Sequence, residues 1–291
     1  MPLPPAPARL SRRALLAAAG SASLTAACSP LSAVNALMPS DGGSRLAARD
    51  VAYGADPRQR LDVYVPETGA TSAPAMMFIY GGGWNDGAKA DYGFVGHAFA
   101  ARGFVTVVPD YRLTPQVRFP EFVDDCASAL RWVQDIIPRF GGNTARVHLC
   151  GHSAGAYNAM MIALDTRFGA RAGVRPSLVK SVAGLAGPYD FLPLDDERTI
   201  AAFGQAKLPE TQPVNFARRG APRSFLATGD ADTTVLPRNS YALGRRLQAA
   251  GASVQVKTYP GLSHAGILLA LGKGFRGNAP VLDDIVRFAA G

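Results

Sequence analysis

The sequence predicts an α/β fold: an open, mostly parallel sheet covered by helices on both faces. Three observations carry that prediction. Short, continuous apolar runs recur along the chain, as strands buried on both faces require. Segments with helical apolar spacing separate them. The length of 291 residues, 48% hydrophobic and 18% charged, suffices for one large domain with a full core.

The first 27 residues read as an export signal. Ser11-Arg12-Arg13-Ala14-Leu15-Leu16 resembles a twin-arginine pattern, and an Ala-rich run follows to Ala27. That run is too short and too small-residued for a stable membrane span. Leu24-Thr25-Ala26-Ala27-Cys28 resembles a bacterial lipoprotein box, with Thr25 where Leu is usual. Cys28 is thus the candidate lipid-bearing residue and the candidate route to membrane attachment. Cleavage after Ala27, Ala33 or Ala36, or a plain Ala/Pro-rich tail, are the alternatives. The expected location is periplasmic or membrane-anchored. Residues 28–48 read as a linker and 49–291 as the one large folded domain.

Within that domain, Arg60-Leu61-Asp62-Val63-Tyr64-Val65 alternates as a half-buried strand does. Strands before Met76 are candidates for an antiparallel edge. Met76-Met77-Phe78-Ile79-Tyr80 and Phe104-Val105-Thr106-Val107-Val108 are continuous apolar runs that suit parallel strands. Further strands are expected over residues 146–150, 178–185, 224–228 and 253–259. Helical spacing marks residues 96–102, 121–137, 154–165 and 239–250. The Pro-rich stretch 192–216 interrupts the alternation and reads as a small lid or excursion. Gly272-Lys273-Gly274-Phe275-Arg276-Gly277 fits G-x-G-x-x-G, but it follows a helix-like run and opens no helix. It is therefore no dinucleotide site.

The formal charge is +8. Arg9, Arg12 and Arg13 fall in the leader, so a processed chain is less basic. The other arginines are scattered and not interleaved with aromatics. A solvated surface fits this better than a nucleic-acid stripe. Cys126 and Cys150 read as small buried hydrophobes, and sequence alone cannot pair them.

The chemistry centres on Gly151-His152-Ser153-Ala154-Gly155, a G-x-S-x-G pentapeptide between an apolar run and a helix-forming stretch. A serine on such a tight strand-to-helix turn is exposed beside backbone amides that can stabilise an oxyanion. The serine needs a base. His148 lies in a strand, His97 on an early helix, and His152 faces away as the serine's immediate neighbour. His264 alone follows the last predicted strand, in a small-residue loop, where a general base belongs. The carboxylate should fall between serine and histidine in chain order. Asp230 and Asp232 both qualify. Asp232 is preferred, because the loop must first turn at Gly229. Asp230 is better placed to bond amides in that turn. Gly81-Gly82-Gly83-Trp84 follows a buried strand, so Gly82, Gly83 and Ala154 are the candidate oxyanion amides. Trp84, Tyr189 and Phe191 are candidates for the substrate pocket or, equally, for core. His148 and His152 are four residues apart, but they flank the elbow and no H-E-x-x-H helix exists. A metal site is not expected.

These ordered pieces resemble the α/β-hydrolase superfamily, in its esterase/lipase branch. That branch includes hormone-sensitive-lipase-like carboxylesterases, feruloyl-esterase-like proteins and kynurenine formamidases. The resemblance covers roughly residues 50–290. It rests on Gly81-Gly82-Gly83-Trp84 with Gly87 and Lys89, and on Asp110-Tyr111-Arg112-Leu113-Thr114-Pro115, Phe119-Pro120 and Asp124-Asp125. Gly151–Gly155, Gly187-Pro188-Tyr189-Asp190, Asp232 and His264 complete it. The Tyr189-Asp190 pair followed by Pro193-Leu194 is closer to the feruloyl-esterase-like and formamidase group. The resemblance implies ester hydrolysis through an acyl-enzyme, with small-molecule ester substrates and no cofactor. Arylformamidase activity would use the same residues. A peptidase of this fold lacks support, since no propeller or large cap precedes the domain. A non-catalytic surface lipoprotein is the rival of another class. One departure stands out: Tyr80 occupies the place of the family's usual histidine before the glycines. Its hydroxyl is a candidate to hold the loop instead.

Overall fold

The computed structural model describes residue 35 and residues 37–291. Eight strands form one sheet in the order β1-β2-β4-β3-β5-β6-β7-β8. They are β1 (Ser44–Ala52), β2 (Arg60–Pro66), β3 (Ala73–Ile79), β4 (Val105–Pro109), β5 (Gly142–His152), β6 (Val179–Leu185), β7 (Arg223–Gly229) and β8 (Val254–Tyr259). β1 runs antiparallel to β2, and β2 antiparallel to β4. Every later pairing is parallel. The continuous apolar runs are buried on both faces, as in β4, where all five residues are buried.

The sheet begins earlier than the sequence suggests. β1 starts at Ser44, inside the stretch read as linker, so the domain boundary at 49 falls within a strand. β1 is a half-exposed edge carrying Arg45, Arg49 and Asp50, and its apolar signal is correspondingly weak. The leader, with Arg12, Arg13 and Cys28, lies outside the described residues.

The helices are α1 (Gly93–Ala100), α2 (Glu121–Ile136), α3 (Ala154–Leu164), α4 (Thr166–Ala172), α5 (Glu197–Phe203), α6 (Arg238–Ala249), α7 (His264–Leu269) and α8 (Val281–Ala290). α1 packs beside α8, and α2 packs beside α3 and α4. α5 lies in the excursion over 192–216. Among the described residues, no helix is long and apolar enough to cross a membrane. Cys126 and Cys150 are buried free thiols.

The topology places the site. β3 leads to β4 on one side of the sheet, whereas β5, its other neighbour, leads to β6 on the opposite side. The loops leaving β3 and β5 therefore diverge and open a crevice at the strands' carboxyl ends. Open α/β sheets bind ligands at such a reversal. The register sets Ile79 beside Gly151 and Gly151 beside Gly184. The glycine-rich loop and the serine elbow thus emerge at one level.

Candidate active site

Ser153 sits between β5 and α3 with φ 54° and ψ −125°, a conformation that L-residues rarely adopt. Its backbone N–H donates to the Leu185 carbonyl at 2.9 Å, and its own carbonyl accepts from Tyr157 N. The flanking glycines are required by contact. A Cβ on Gly151 would lie 2.3 Å from the Gly155 carbonyl oxygen. The turn therefore closes only without side chains there, and it lifts the serine off the sheet at the N-terminus of α3.

Two other loops meet this serine. His264 opens α7, capped by Ser263, whose Oγ accepts from Gly266 N. Asp232 lies in the loop after β7 and is buried. His264 Nδ1 is 2.8 Å from Asp232 Oδ2, and its Nε2 is 2.9 Å from Ser153 Oγ. A carboxylate only accepts, so Nδ1 carries the proton and Nε2 presents its lone pair to the serine hydroxyl. Asp232 Oδ1 accepts from the amides of Thr234 and Val235, both at 2.9 Å. Burial alone would raise this carboxyl's pKa. The bond from His264 and those two amides outweigh it and hold the carboxyl below its ordinary value. Asp230 takes the structural role: its Oδ1 accepts from Gly261 N at 2.6 Å, tying the β7 loop to the β8 loop.

The loop after β3 supplies amides. Gly82 and Gly83 have φ of +121° and +58°. Among the described residues neither amide donates a hydrogen bond. A Cβ on Gly82 would lie 2.1 Å from the Asp86 carbonyl oxygen, so only glycine fits. Ala154 N, at the start of α3, has no intrahelical acceptor. Tyr80 anchors this loop. Its hydroxyl donates to Asp110 Oδ1 at 2.7 Å and accepts from Arg58 Nη2 at 2.9 Å. Asp110 Oδ1 also accepts from Lys89 N, and Arg58 Nη2 donates to the Gly87 carbonyl. The loop is thus pinned at both ends around the tyrosine.

Ser153, His152 and His264 open into a cleft of about 1050 Å³. Gly82, Gly83, Trp84 and Ala154 line one side, Phe191 and the start of the 192–216 excursion another, and Leu236, Leu268 and Leu269 a third. Trp84 and Phe191 thus line the cleft. Tyr189 does not. It is fully buried, and a Cβ on Gly184 would lie 2.0 Å from its hydroxyl, so it fills core beneath the sheet's end. Several contributors escaped the sequence. Asn158 Oδ1 accepts from Trp84 Nε1, and Asn239 Oδ1 accepts from the amides of Tyr189 and Asp190. Both are buried side chains on helices, without a local signal. His148 and His152 serve different partners: His148 Nδ1 is 2.8 Å from Ser181 Oγ, and His152 Nε2 is 2.9 Å from the His264 carbonyl.

Known proteins share this arrangement of chain. A family model described as BD-FAE matches residues 61–247. Carboxylesterase NlhH of Mycobacterium tuberculosis is 30% identical over 253 residues, which is 78% of this chain and 77% of that protein. A probable isoprenylcysteine alpha-carbonyl methylesterase of Oryza sativa subsp. japonica is 29% identical over 247 residues, 78% of this chain. The chain spans 60% of that plant relative's length. Among solved structures, esterase B from Lactobacillus rhamnosis, inhibited by a tributyrin phosphonate, matches with a TM-score of 0.78. The match covers 97% of this chain and 96% of that one at 21% identity, a likeness of fold. The chain belongs to the BD-FAE family, an esterase family of the α/β-hydrolase fold.

Proposed function

We propose that this protein is a serine hydrolase of small or medium carboxylic esters, working through an acyl-enzyme on Ser153. The hydrogen-bonded chain from Asp232 through His264 to Ser153 carries the reading. His264 Nε2 takes the serine proton as Oγ bonds to the ester carbonyl carbon. The amides of Gly82, Gly83 and Ala154 receive the negative oxygen, at roughly 3 kcal/mol per donor. Collapse breaks the bond to the alcohol, which leaves with the proton from His264. Water then attacks the acyl-enzyme, losing a proton to His264, and as the bond from Oγ to the acyl carbon breaks His264 returns that proton to Ser153 and the acid departs. Asp232 keeps the imidazole tautomer throughout. No cofactor enters these steps.

The relatives' names point to esters rather than formamides: the plant proteins are described as methylesterases and the mycobacterial one as a carboxylesterase. The aromatic wall of Trp84 and Phe191 suits an apolar acyl or alcohol group. Purified Ser153→Ala should keep its fold and lose turnover of p-nitrophenyl butyrate by several orders of magnitude. Retention of more than about a tenth of wild-type activity would sink the reading. Faster hydrolysis of N-formylkynurenine than of short esters would favour the arylformamidase alternative.

Export through the leader belongs to the same reading. It is supported by the paired Arg12 and Arg13 and the short apolar run. Changing both arginines to lysine keeps the charge yet should hold precursor in the cytosol. Cys28→Ala should release the protein from membranes if that thiol carries lipid. Active, unprocessed protein in the native cytosol would overturn both statements.

A further inference from the structure

We infer that His152 is a positioning residue, whose imidazole locks the backbone that carries His264. The inference rests on the serine-hydrolase reading above. The G-x-S-x-G pattern leaves its second position free, so the motif assigns this residue no task. In the fold, His152 ends β5 and turns away from Ser153 toward the loop after β8. Its Nε2 lies 2.9 Å from the His264 carbonyl oxygen, 112 residues along the chain. A carbonyl only accepts, so Nε2 carries the proton. The two rings sit 4.8 Å apart at 45°.

The consequence is geometric. Asp232 and Ser153 grip the two ring nitrogens of His264, but both bonds move if the backbone of that short helix shifts. The bond to the His264 carbonyl removes this freedom from a third direction. His152 also packs on the loop of the oxyanion amides: a Cβ on Gly81 would lie 3.2 Å from its Nδ1 and 2.9 Å from Ser153 Cβ. One buried side chain therefore joins the elbow, the oxyanion loop and the base loop. Its charge state suits the task. Burial, and then the neighbouring His264, push its pKa down to about 3, so it stays neutral when His264 gains a proton 4.8 Å away.

The test compares the wild-type chain with His152→Gln and His152→Asn. Glutamine places an amide N–H near the imidazole Nε2, whereas asparagine falls short of the His264 carbonyl. The readouts are kcat and KM on p-nitrophenyl butyrate, the rate at which a fluorophosphonate labels Ser153, and cooperative thermal melting. His152→Gln should stay within about threefold of wild type in kcat. His152→Asn should lose about 30-fold in kcat and in labelling rate, with KM within about twofold. Equal rates for all three chains would overturn the assignment. So would a folded glutamine variant as slow as asparagine, or the failure of both variants to fold, which would make the residue purely structural. Wild-type protein that neither labels nor hydrolyses would instead bring down the reading of Ser153, and this inference with it.

Discussion

Gly155 passes under Ile79 so closely that a Cβ on it would lie 2.1 Å from the Ile79 carbonyl oxygen and 2.3 Å from that of Tyr80. Ile79 is the last residue of β3, and the carbonyl of Tyr80 just beyond it is held by Tyr111 Oη, so neither can readily give way. The first turn of α3 is thereby pressed against the end of β3, which brings Ala154 N level with the oxyanion loop. Gly155→Ala should destabilise the fold by about 3 kcal/mol or more. For a chain of this size that lowers the thermal midpoint by roughly 6–12 °C. An unchanged midpoint, read by circular dichroism, would show that the helix can lift without cost.

Asp232 and Asp230 stand two residues apart with separate tasks. Asp232→Asn keeps a side chain of the same shape but offers an N–H where His264 needs an acceptor, favouring the wrong tautomer. Its kcat should fall on the order of 10³–10⁴-fold. Asp230→Asn weakens one bond to the Gly261 amide and should cost less than about tenfold. Steady-state kinetics on the two folded variants decide between them. A larger loss at Asp230 would reverse the assignment.

Acid should weaken the fold through two buried histidines. Burial holds the pKa of His148 down to about 4 and that of His152 down to about 3, against about 6.5 in an unfolded chain. Below about pH 6.5 the unfolded state binds protons that the folded state refuses, so stability falls as pH falls. The loss runs to the folded pKa, at about 1.4 kcal/mol per pH unit for each histidine. Asp232, held low, adds to the loss at more acidic pH. Urea midpoints should therefore drop between about pH 7 and pH 5, and His148→Gln should flatten that slope. A midpoint independent of pH across this window would contradict the burial argument.

Much of this architecture is legible in the sequence, for local reasons. β3 announces itself because a continuous apolar run leads through Tyr80 into glycines, and β5 because Val147, Leu149 and Cys150 lead into the G-x-S-x-G turn; the glycines mark where the backbone must pass close to something. β1 leaves little trace in the sequence because an edge strand needs few apolar residues, and Arg45, Arg49 and Asp50 mask its pairing with β2. The sequence leaves Tyr189 open between pocket and core, because an aromatic next to a site motif suits both alike. Which it joins depends on how the chain turns after β6. The tie made by His152 is illegible in the sequence because its partner is the backbone of a loop 112 residues away, a contact no spacing encodes.

Tyr80 carries the last prediction. Its hydroxyl is the hub between Asp110 and Arg58, while its carbonyl accepts from Tyr111 Oη at 3.0 Å. Its ring is fully buried and stacked between Tyr92 and Tyr111. Tyr80→Phe keeps that stacking and removes only the hydroxyl. Asp110 retains the Lys89 amide, and Arg58 retains the carbonyls of Tyr111 and Gly87, so the fold should survive. The loss of two partly buried bonds, one to a carboxylate and one from a guanidinium, should cost about 2–4 kcal/mol. Because the same bonds pin the loop that bears Gly82 and Gly83, activity should fall as well. We expect kcat to drop about tenfold with KM nearly unchanged, the pattern of an interaction made mainly in the transition state. A variant that loses stability yet keeps full kcat would mean that the glycine loop holds its shape without the tyrosine hydroxyl. Its positive-φ turn and the bonds from Asn85 and Asp86 N to the Gly82 carbonyl would then suffice to aim the amides.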